Sequence, residues 1–289
     1  MLTDPTQVLA DDALTSHPTR HDVIVVKIGG SADPGPVLDE VAELAADGHP
    51  IVLVHGGGPA ADQLADALGV RREVIRSPDG THSRRTDPAM LAALTLALLG
   101  QVKPQLVSGL RARGVRAVGL SGADGALVTA SRKSAIRSVR EGRTVLVRDD
   151  HSGRIENVDP ALVTAVLAHG HIPVVSPPAS DIDGNLLNVD ADEVAARLAM
   201  ALDAAALVLL TDVAGVLTDP GDPASLLPEI GPRQLTGNIV RGRMRHKVRA
   251  ALRASETVAD VAIAAAGQQR PIRQALAGTG TRVRAGANA

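Results

Sequence analysis

The sequence predicts an α/β fold with a mainly parallel central sheet, and three observations carry that prediction. DVIVVKIGGS at 22–31 and PIVLVHGGGP at 50–59 are continuous apolar, β-branched runs ending in glycines, the pattern of strands buried on both faces. Each is followed by a stretch of helical periodicity, PVLDEVAELAADG at 36–48 and ADQLADALGV at 61–70. Strand, glycine turn and helix therefore occur twice in succession, which points to two loops aimed at one site. The 289 residues suffice for one large domain or two joined lobes whose core needs no covalent staple.

Taken in order, residues 1–20 read as a loose polar tail ahead of the first strand. The stretch 87–114 is a long helix broken near Pro104. VRAVGLSG at 115–122 is a third strand with a glycine turn. Residues 126–158 alternate and carry turn signals at Glu141-Gly142 and Ser152-Gly153, which predicts β-hairpins. PALVTAVLAHG is a helix and IPVVSPPAS a strand. VDADEVAARLAMALDA at 189–204 is a helix with acidic residues at its start, where the helix dipole favours them. ALVLLTDVAGVL at 206–217 is a strand and loop, 237–255 a loop and basic helix, ADVAIAAAG a strand, and the last residues a short strand and tail. The expected division is a tail at 1–20, an N-terminal lobe at 21–204 and a C-terminal lobe at 205–289.

Composition excludes several classes. A net charge of −2 gives no overall basic excess of the kind nucleic acid attracts. The absence of cysteine removes disulfides, thiolate metal sites and a cysteine nucleophile. The polar N-terminus lacks the basic start and apolar stretch of a signal peptide, and no window holds the ~18 uninterrupted apolar residues of a membrane helix, so a cytoplasmic protein is expected. The chain also has no Phe, Tyr or Trp, which points to a reduced alphabet or a redesigned sequence. Leu, Ile, Val and Ala must fill the core, and a nucleotide base must lie between aliphatic side chains. Among 30 Lys plus Arg only Lys27, Lys103, Lys133 and Lys247 are lysines. A lysine kept against an arginine background marks a place where a compact ammonium is needed, or chance.

Lys27, Gly29 and Gly30 in VVKIGGS, and Gly56, Gly57 and Gly58 in LVHGGGP, are candidates for holding phosphate. Backbone N–H groups in glycine turns approach phosphate oxygens closely, and phosphoryl transfer needs positioning and charge neutralisation more than covalent help. Neither cluster fits the P-loop or the dinucleotide fingerprint, and each alone is equally a tight strand-to-helix turn.

VVKIGGS, LVHGGGP, LLNVDAD, LLTDVAGVL and GRMRHKV together, in that order and over about residues 22–284, resemble the amino-acid kinase family in its N-acetylglutamate kinase branch. The resemblance implies a three-layer αβα sandwich of the carbamate kinase-like type. Its N-terminal lobe would hold the carboxylate acceptor and its C-terminal lobe ATP. It implies that Lys27 sits on the transferring phosphoryl group, that Lys247 meets the β–γ bridging oxygen, and that Asp192 orients both. Gly29, Gly30, Gly56 and Gly57 would contact phosphate or the attacking carboxylate, and Arg84 and Asn188 the substrate's α-side groups. Thr211, Asp212, Val213 and Gly215, with Lys27 and Lys247, would line the nucleotide site. The histidines match no metal-ligand spacing, so no protein-held metal is expected, and Mg²⁺ would arrive with ATP. The bland alternatives are a helix-start acid for Asp192 and a solvated charge for Arg84.

PDGTHSRRTDP, GLSGADG, residues 131–158 and Asp190 are similar to one sub-branch, the kinases that act on 2-aminoadipate, or glutamate, carried on a small acidic amino-group carrier protein of lysine and related biosynthesis. HGGGP is closer to the enzymes for free N-acetylglutamate, which remain the alternative. Independently of the resemblance, residues 131–148 carry Arg132, Lys133, Arg137, Arg140, Arg143 and Arg148 against Glu141 alone. That basic hairpin is a candidate dock for the acidic carrier, with Arg132, Lys133, Arg137 and Arg140 as its contacts, or else a solvated edge. The family also implies a homodimer. A non-catalytic amino-acid or nucleotide sensor, or an inactive redesigned variant, stays open at this point.

Overall fold

The structure is a computed structural model that describes residues 22–286 apart from 79–80, 237–239 and 241; the tail expected over 1–20 lies outside the described residues. In chain order the elements are β1 (Ile24–Ile28), α1 (Gly35–Ala46), β2 (Ile51–His55), α2 (Gly58–Ala67), β3 (Val74–Arg76), β4 (His82–Arg84), α3 (Pro88–Leu96), α4 (Lys103–Ala112) and β5 (Ala117–Ser121). There follow β6 (Val128–Arg132), β7 (Ile136–Arg140), β8 (Arg143–Val147), β9 (Gly153–Val158), α5 (Ala161–Ala168), β10 (Ile172–Ser176), β11 (Ala179–Ser180), β12 (Leu186–Leu187) and α6 (Ala191–Ala201). The chain ends with β13 (Ala206–Thr211), β14 (Glu229–Ile230), α7 (Pro232–Thr236), α8 (Gly242–Ala254), β15 (Asp260–Ala265), α9 (Pro271–Leu276) and β16 (Thr281–Val283).

An eight-stranded sheet in the order β14-β16-β15-β13-β1-β2-β10-β5 forms the middle layer. Every pairing in it is parallel except β15 with β16. One face packs its apolar side chains against α5, α6 and α8, and the other against α1, α4 and α9, so the chain is the three-layer αβα sandwich that the sequence implied. The aliphatic core is drawn from Val, Leu, Ile, Ala and Met, as a chain without aromatic rings requires. The boundary expected between 204 and 205 falls between α6 and β13, and the β1–β13 pairing carries the sheet straight across it.

Two expectations need correction. The long helix does not break at Pro104. It widens into a π-helical turn over Ala97–Val102 and continues, so the helix runs from Pro88 to Ala112. Proline has no N–H to donate and its ring crowds the carbonyl four residues earlier; the wider turn relieves both without ending the helix. This helix is long and apolar enough by length and composition to cross a membrane, yet Met90, Leu94, Leu98, Leu106 and Leu110 are buried within the fold.

Ser152-Gly153 is likewise no hairpin turn. Gly153 opens β9, which pairs antiparallel with β6, so the β7–β8 hairpin is nested inside a wider β6–β9 pair. A Cβ on Gly153 would lie 3.1 Å from Ala130 Cβ, Leu187 Cβ and Val189 Cγ1. The glycine is there for close approach, which imitates a turn signal in sequence. At Glu141-Gly142 the turn is real, with φ of 50° and 74°, the left-handed pair that a tight hairpin uses.

Candidate active site

Because β13, β1 and β2 are adjacent and parallel, the loops that follow them, at 211–216, 29–31 and 56–58, meet at one edge of the sheet. Alternation along β1 then decides where Lys27 points. Val26 and Ile28 face the α1 layer and Val25 the α6 layer, so Lys27 emerges on the side of α6 and α8. On that side α6 carries Asp192 in its first turn and α8 carries Lys247 on its buried stripe. Asp190 fixes where α6 begins, since its carboxylate accepts the Asp192 N–H at 2.7 Å as an N-cap.

Lys27 Nζ lies 2.7 Å from Asp192 Oδ1. Lys247 Nζ donates to the same oxygen at 2.9 Å. All three side chains are buried. Burial alone would raise the Asp192 carboxyl, but the ammonium groups of Lys247 and Lys27 overcome it and hold the pKa down at about 2. Burial pushes Lys247 down, Asp192 pulls it back up, and the charge on Lys27 pushes it down again. Two buried cations thus share the buried Asp192 carboxylate, while the neighbouring Asp190 carboxyl is pushed up, by loss of solvation first and by the Asp192 charge second. The surplus positive charge suits an incoming anion.

The glycine loops supply fewer donors than expected. The Gly29 N–H donates to Leu210 O at 2.9 Å, and the Gly56 N–H to Ile28 O at 3.4 Å, so both extend the sheet ladder. Gly29 and Gly56 are therefore corrected as phosphate or carboxylate donors. The N–H groups of Gly30, Gly57 and Gly58 make no hydrogen bond among the described residues. A Cβ on Gly30 would sit 3.0 Å from Gly58 N and 3.1 Å from Gly57 N, so a glycine there lets the two loops close on each other.

Arg84, at the end of β4, donates from Nη2 to Asp62 Oδ1 at 2.6 Å and to Gly58 O at 3.1 Å. Asn188 donates from Nδ2 to Thr86 Oγ1 at 3.0 Å, so Arg84 and Asn188 are joined through the 84–86 segment. Buried Asp150 accepts the Thr86 and Ser152 N–H groups, each at 2.7 Å, and locks the stretch after β8 to the same segment.

On the other side of Lys27, Thr211 donates to Asp212 Oδ1 at 3.0 Å, and Ser31 donates to Asp212 Oδ2 at 3.1 Å. The loop after β1 is thereby tied to the loop after β13. Gly215 packs where a Cβ would meet Thr281 Oγ1 at 2.7 Å, and Val213 is part-exposed beside it.

The basic hairpin is divided in its commitments. Arg132 donates from Nε to Asp150 O at 2.9 Å, and Arg140 pairs with Glu73 at 3.2 Å. Arg85 binds Glu73 at 2.7 Å and Asp149 at 2.5 Å, so an ionic network roots the hairpin beside Arg84. Lys133, Arg137, Arg143 and Arg148 are exposed, with no side-chain partner among the described residues. Sequence reasoning did not single out Ser31, Asp62, Thr86 or Asp150. Ser31 follows the glycine pair directly, which is a usable signal; the others carry none until the fold brings them in.

The amino acid kinase family model matches residues 22–264. A "[LysW]-aminoadipate kinase" of Deinococcus radiodurans is 40% identical over 268 residues, covering 90% of this chain and 91% of that protein. An "acetylglutamate kinase" of Methanocella arvoryzae is 36% identical, covering 76% of this chain and 73% of that one. Among solved structures, that of smu.665 from Streptococcus mutans UA159 superposes with a TM-score of 0.73 at 25% identity, over 91% of this chain and 99% of the other.

Proposed function

This chain belongs to the amino acid kinase family, and we propose that it uses ATP to phosphorylate the side-chain carboxylate of 2-aminoadipate, or glutamate, whose α-amine is held by a small acidic carrier protein. It is a phosphotransferase of lysine and arginine-type biosynthesis, and the product is an acyl phosphate. The observation that carries the reading is the shared Asp192 oxygen: two buried lysines converge on it beside the free N–H groups of Gly30, Gly57 and Gly58.

In the proposed reaction an oxygen of the acceptor carboxylate forms a bond to the γ-phosphorus, the bond from that phosphorus to the β–γ bridging oxygen breaks, and ADP leaves. No proton need move, because the attacking carboxylate is already ionised. Lys27 neutralises the transferring phosphoryl group and Lys247 the leaving bridging oxygen, while Asp192 holds both ammonium groups in line. Mg²⁺ would come with the nucleotide and neutralise its phosphate oxygens. Arg84 and Asn188 hold the acceptor's α-side groups. Thr211, Asp212, Val213 and Gly215 line the nucleotide site, and the base lies among aliphatic side chains after residue 205. Residues 21–204 then form the acceptor lobe and 205–289 the nucleotide lobe, in the cytoplasm where ATP is supplied.

Exposed Ala89, Ala92 and Leu96, which share one face of α3 by their spacing, support a homodimer through that apolar face; sedimentation of the pure protein tests it. One observation favours a second acceptor. HGGGP in the second glycine loop, with acetylglutamate kinases among the relatives, supports free N-acetyl-L-glutamate. Trapping the acyl phosphate as a hydroxamate with each acceptor in parallel separates the two. Turnover confined to N-acetyl-L-glutamate would remove the carrier.

A further inference from the structure

We propose that Asp62 is the residue that presets the Arg84 guanidinium for the acceptor, an inference that rests on the reading of Arg84 as an acceptor-binding group. Asp62 lies one turn into α2, the helix whose first residue, Gly58, belongs to the second glycine loop. Arg84 Nη2 spends both its hydrogens on that helix, one on Asp62 Oδ1 at 2.6 Å and one on Gly58 O at 3.1 Å. Nε and Nη1 make no hydrogen bond among the described residues. A guanidinium has five N–H donors in a rigid plane, so tethering one nitrogen fixes the direction of the other three donors. Those three form the fork that a carboxylate or an amide oxygen would meet.

Among the described residues Asp62 has no closer side-chain partner than Arg84. Arg72 approaches it only to 3.8 Å and bonds instead to Asp66 at 2.7 Å. Asp62 and Asp66 stand one turn apart on α2, which gives each arginine its own carboxylate. The consequence reaches the reaction through geometry. α2 begins beside the free Gly57 and Gly58 N–H groups, and through Asp62 it also holds Arg84. Both ends of the acceptor are thus referenced to one rigid helix, and a loose Arg84 would present the acceptor with a distribution of geometries. A free arginine also loses rotamer entropy when it is fixed. With Asp62 present, that loss is met on folding rather than on binding.

An ordinary part-exposed ion pair would behave differently. It adds little to the stability of a fold and has no preference between substrates. The test is steady-state kinetics of the full chain with Asp62→Ala, Asp62→Asn, Arg84→Ala and the Asp62→Ala/Arg84→Ala double variant. The acceptor is whichever of carrier-linked aminoadipate and N-acetyl-L-glutamate the wild type turns over, and it is varied separately from ATP. Asp62→Ala is expected to raise the acceptor KM about 10-fold or more, the usual effect of losing a charged hydrogen bond, and to leave the ATP KM within about twofold. Asp62→Asn keeps an oxygen for Nη2 and should recover most of the loss. The double variant should be no worse than Arg84→Ala alone, because Asp62 acts only through Arg84. Equal rises in both KM values, no change in Asp62→Ala, or losses that add in the double variant would overturn the proposal. An Arg84→Ala enzyme with a normal acceptor KM would instead overturn the reading of Arg84 on which it rests.

Discussion

Lys27 and Lys247 end on one and the same oxygen: Asp192 Oδ1 is 2.7 Å from the first Nζ and 2.9 Å from the second. One lysine leaves β1 in the sheet and the other leaves α8 on its face, so the carboxylate fixes the separation of the two cations. A displacement at phosphorus has its charge spread along a line, and two point charges held at a set separation can meet both ends of it.

Lys27→Ala and Lys247→Ala should each lower kcat by about 10²–10³, the usual result of deleting one group that meets developing charge. Lys247→Arg should fail as well, because a planar fork does not fit the place of a compact ammonium. Either alanine variant leaves Asp192 paired with the remaining lysine, so melting temperatures should change little beside the kinetics. Near-normal ATP turnover by either one would end the catalytic reading.

His55 should make the fold sensitive to mild acid. Its ring is buried, Nε2 has no hydrogen-bond partner among the described residues, and Nδ1 meets Gly56 O at 3.0 Å. Burial, and less strongly the charges of Lys103 and Lys27, lower its pKa from 6.5 to about 4. Between those values the unfolded chain binds a proton that the folded chain refuses, so stability falls as pH drops from 6.5 to 4, by up to about 3 kcal/mol. Urea titrations across that window, on wild type and His55→Gln, measure the term. Identical slopes in the two proteins would place the acid sensitivity elsewhere.

Lys103 works in the opposite range. It is buried, its stem lies against Gly119, and burial brings its pKa from 10.5 to about 8 despite the pull of Asp124. From pH 8 to 10.5 the unfolded chain holds a proton that the folded one has lost, so wild-type stability should rise with pH there. Lys103→Met should flatten that rise and stabilise the protein at neutral pH by about 1–3 kcal/mol. Loss of stability in the methionine variant at pH 7 would show that the ammonium is held by more than Asp124.

Docking of an acidic carrier should depend on the exposed charges of the hairpin and not on the committed ones. Replacing Lys133, Arg137, Arg143 and Arg148 with Ser should lower kcat/KM for a carrier-bound acceptor, imitate high salt at low salt, and leave kcat nearly constant. Arg132→Ser and Arg140→Ser act on Asp150 and Glu73, so they should loosen the hairpin root instead. Calorimetry with the carrier gives the comparison directly. Equal affinities for wild type and the fourfold serine variant would make the hairpin a solvated edge.

Much of this molecule is legible before folding. Apolar β-branched runs ending in glycines mark β1 and β2, and helical periodicity marks α1, α2 and α6, because these signals live within ten or so neighbouring residues. The five motifs and their order specified the family, and with it the chemistry. What misled was also local. Gly153 reads as a turn and is a packing glycine, and Pro104 reads as a helix end and is absorbed by a π turn.

By itself, then, the sequence determined the layered α/β class, the aliphatic core and the residue types gathered for phosphoryl transfer. Only the tertiary structure decided how they share partners: that Lys27 and Lys247 meet one oxygen, that the Gly29 and Gly56 N–H groups go to the sheet, and that Asp62 tethers Arg84. The physical reason is that propensity and periodicity act over a few residues, whereas these partners are chosen by strand order and by which face of the sheet an alternating side chain must take.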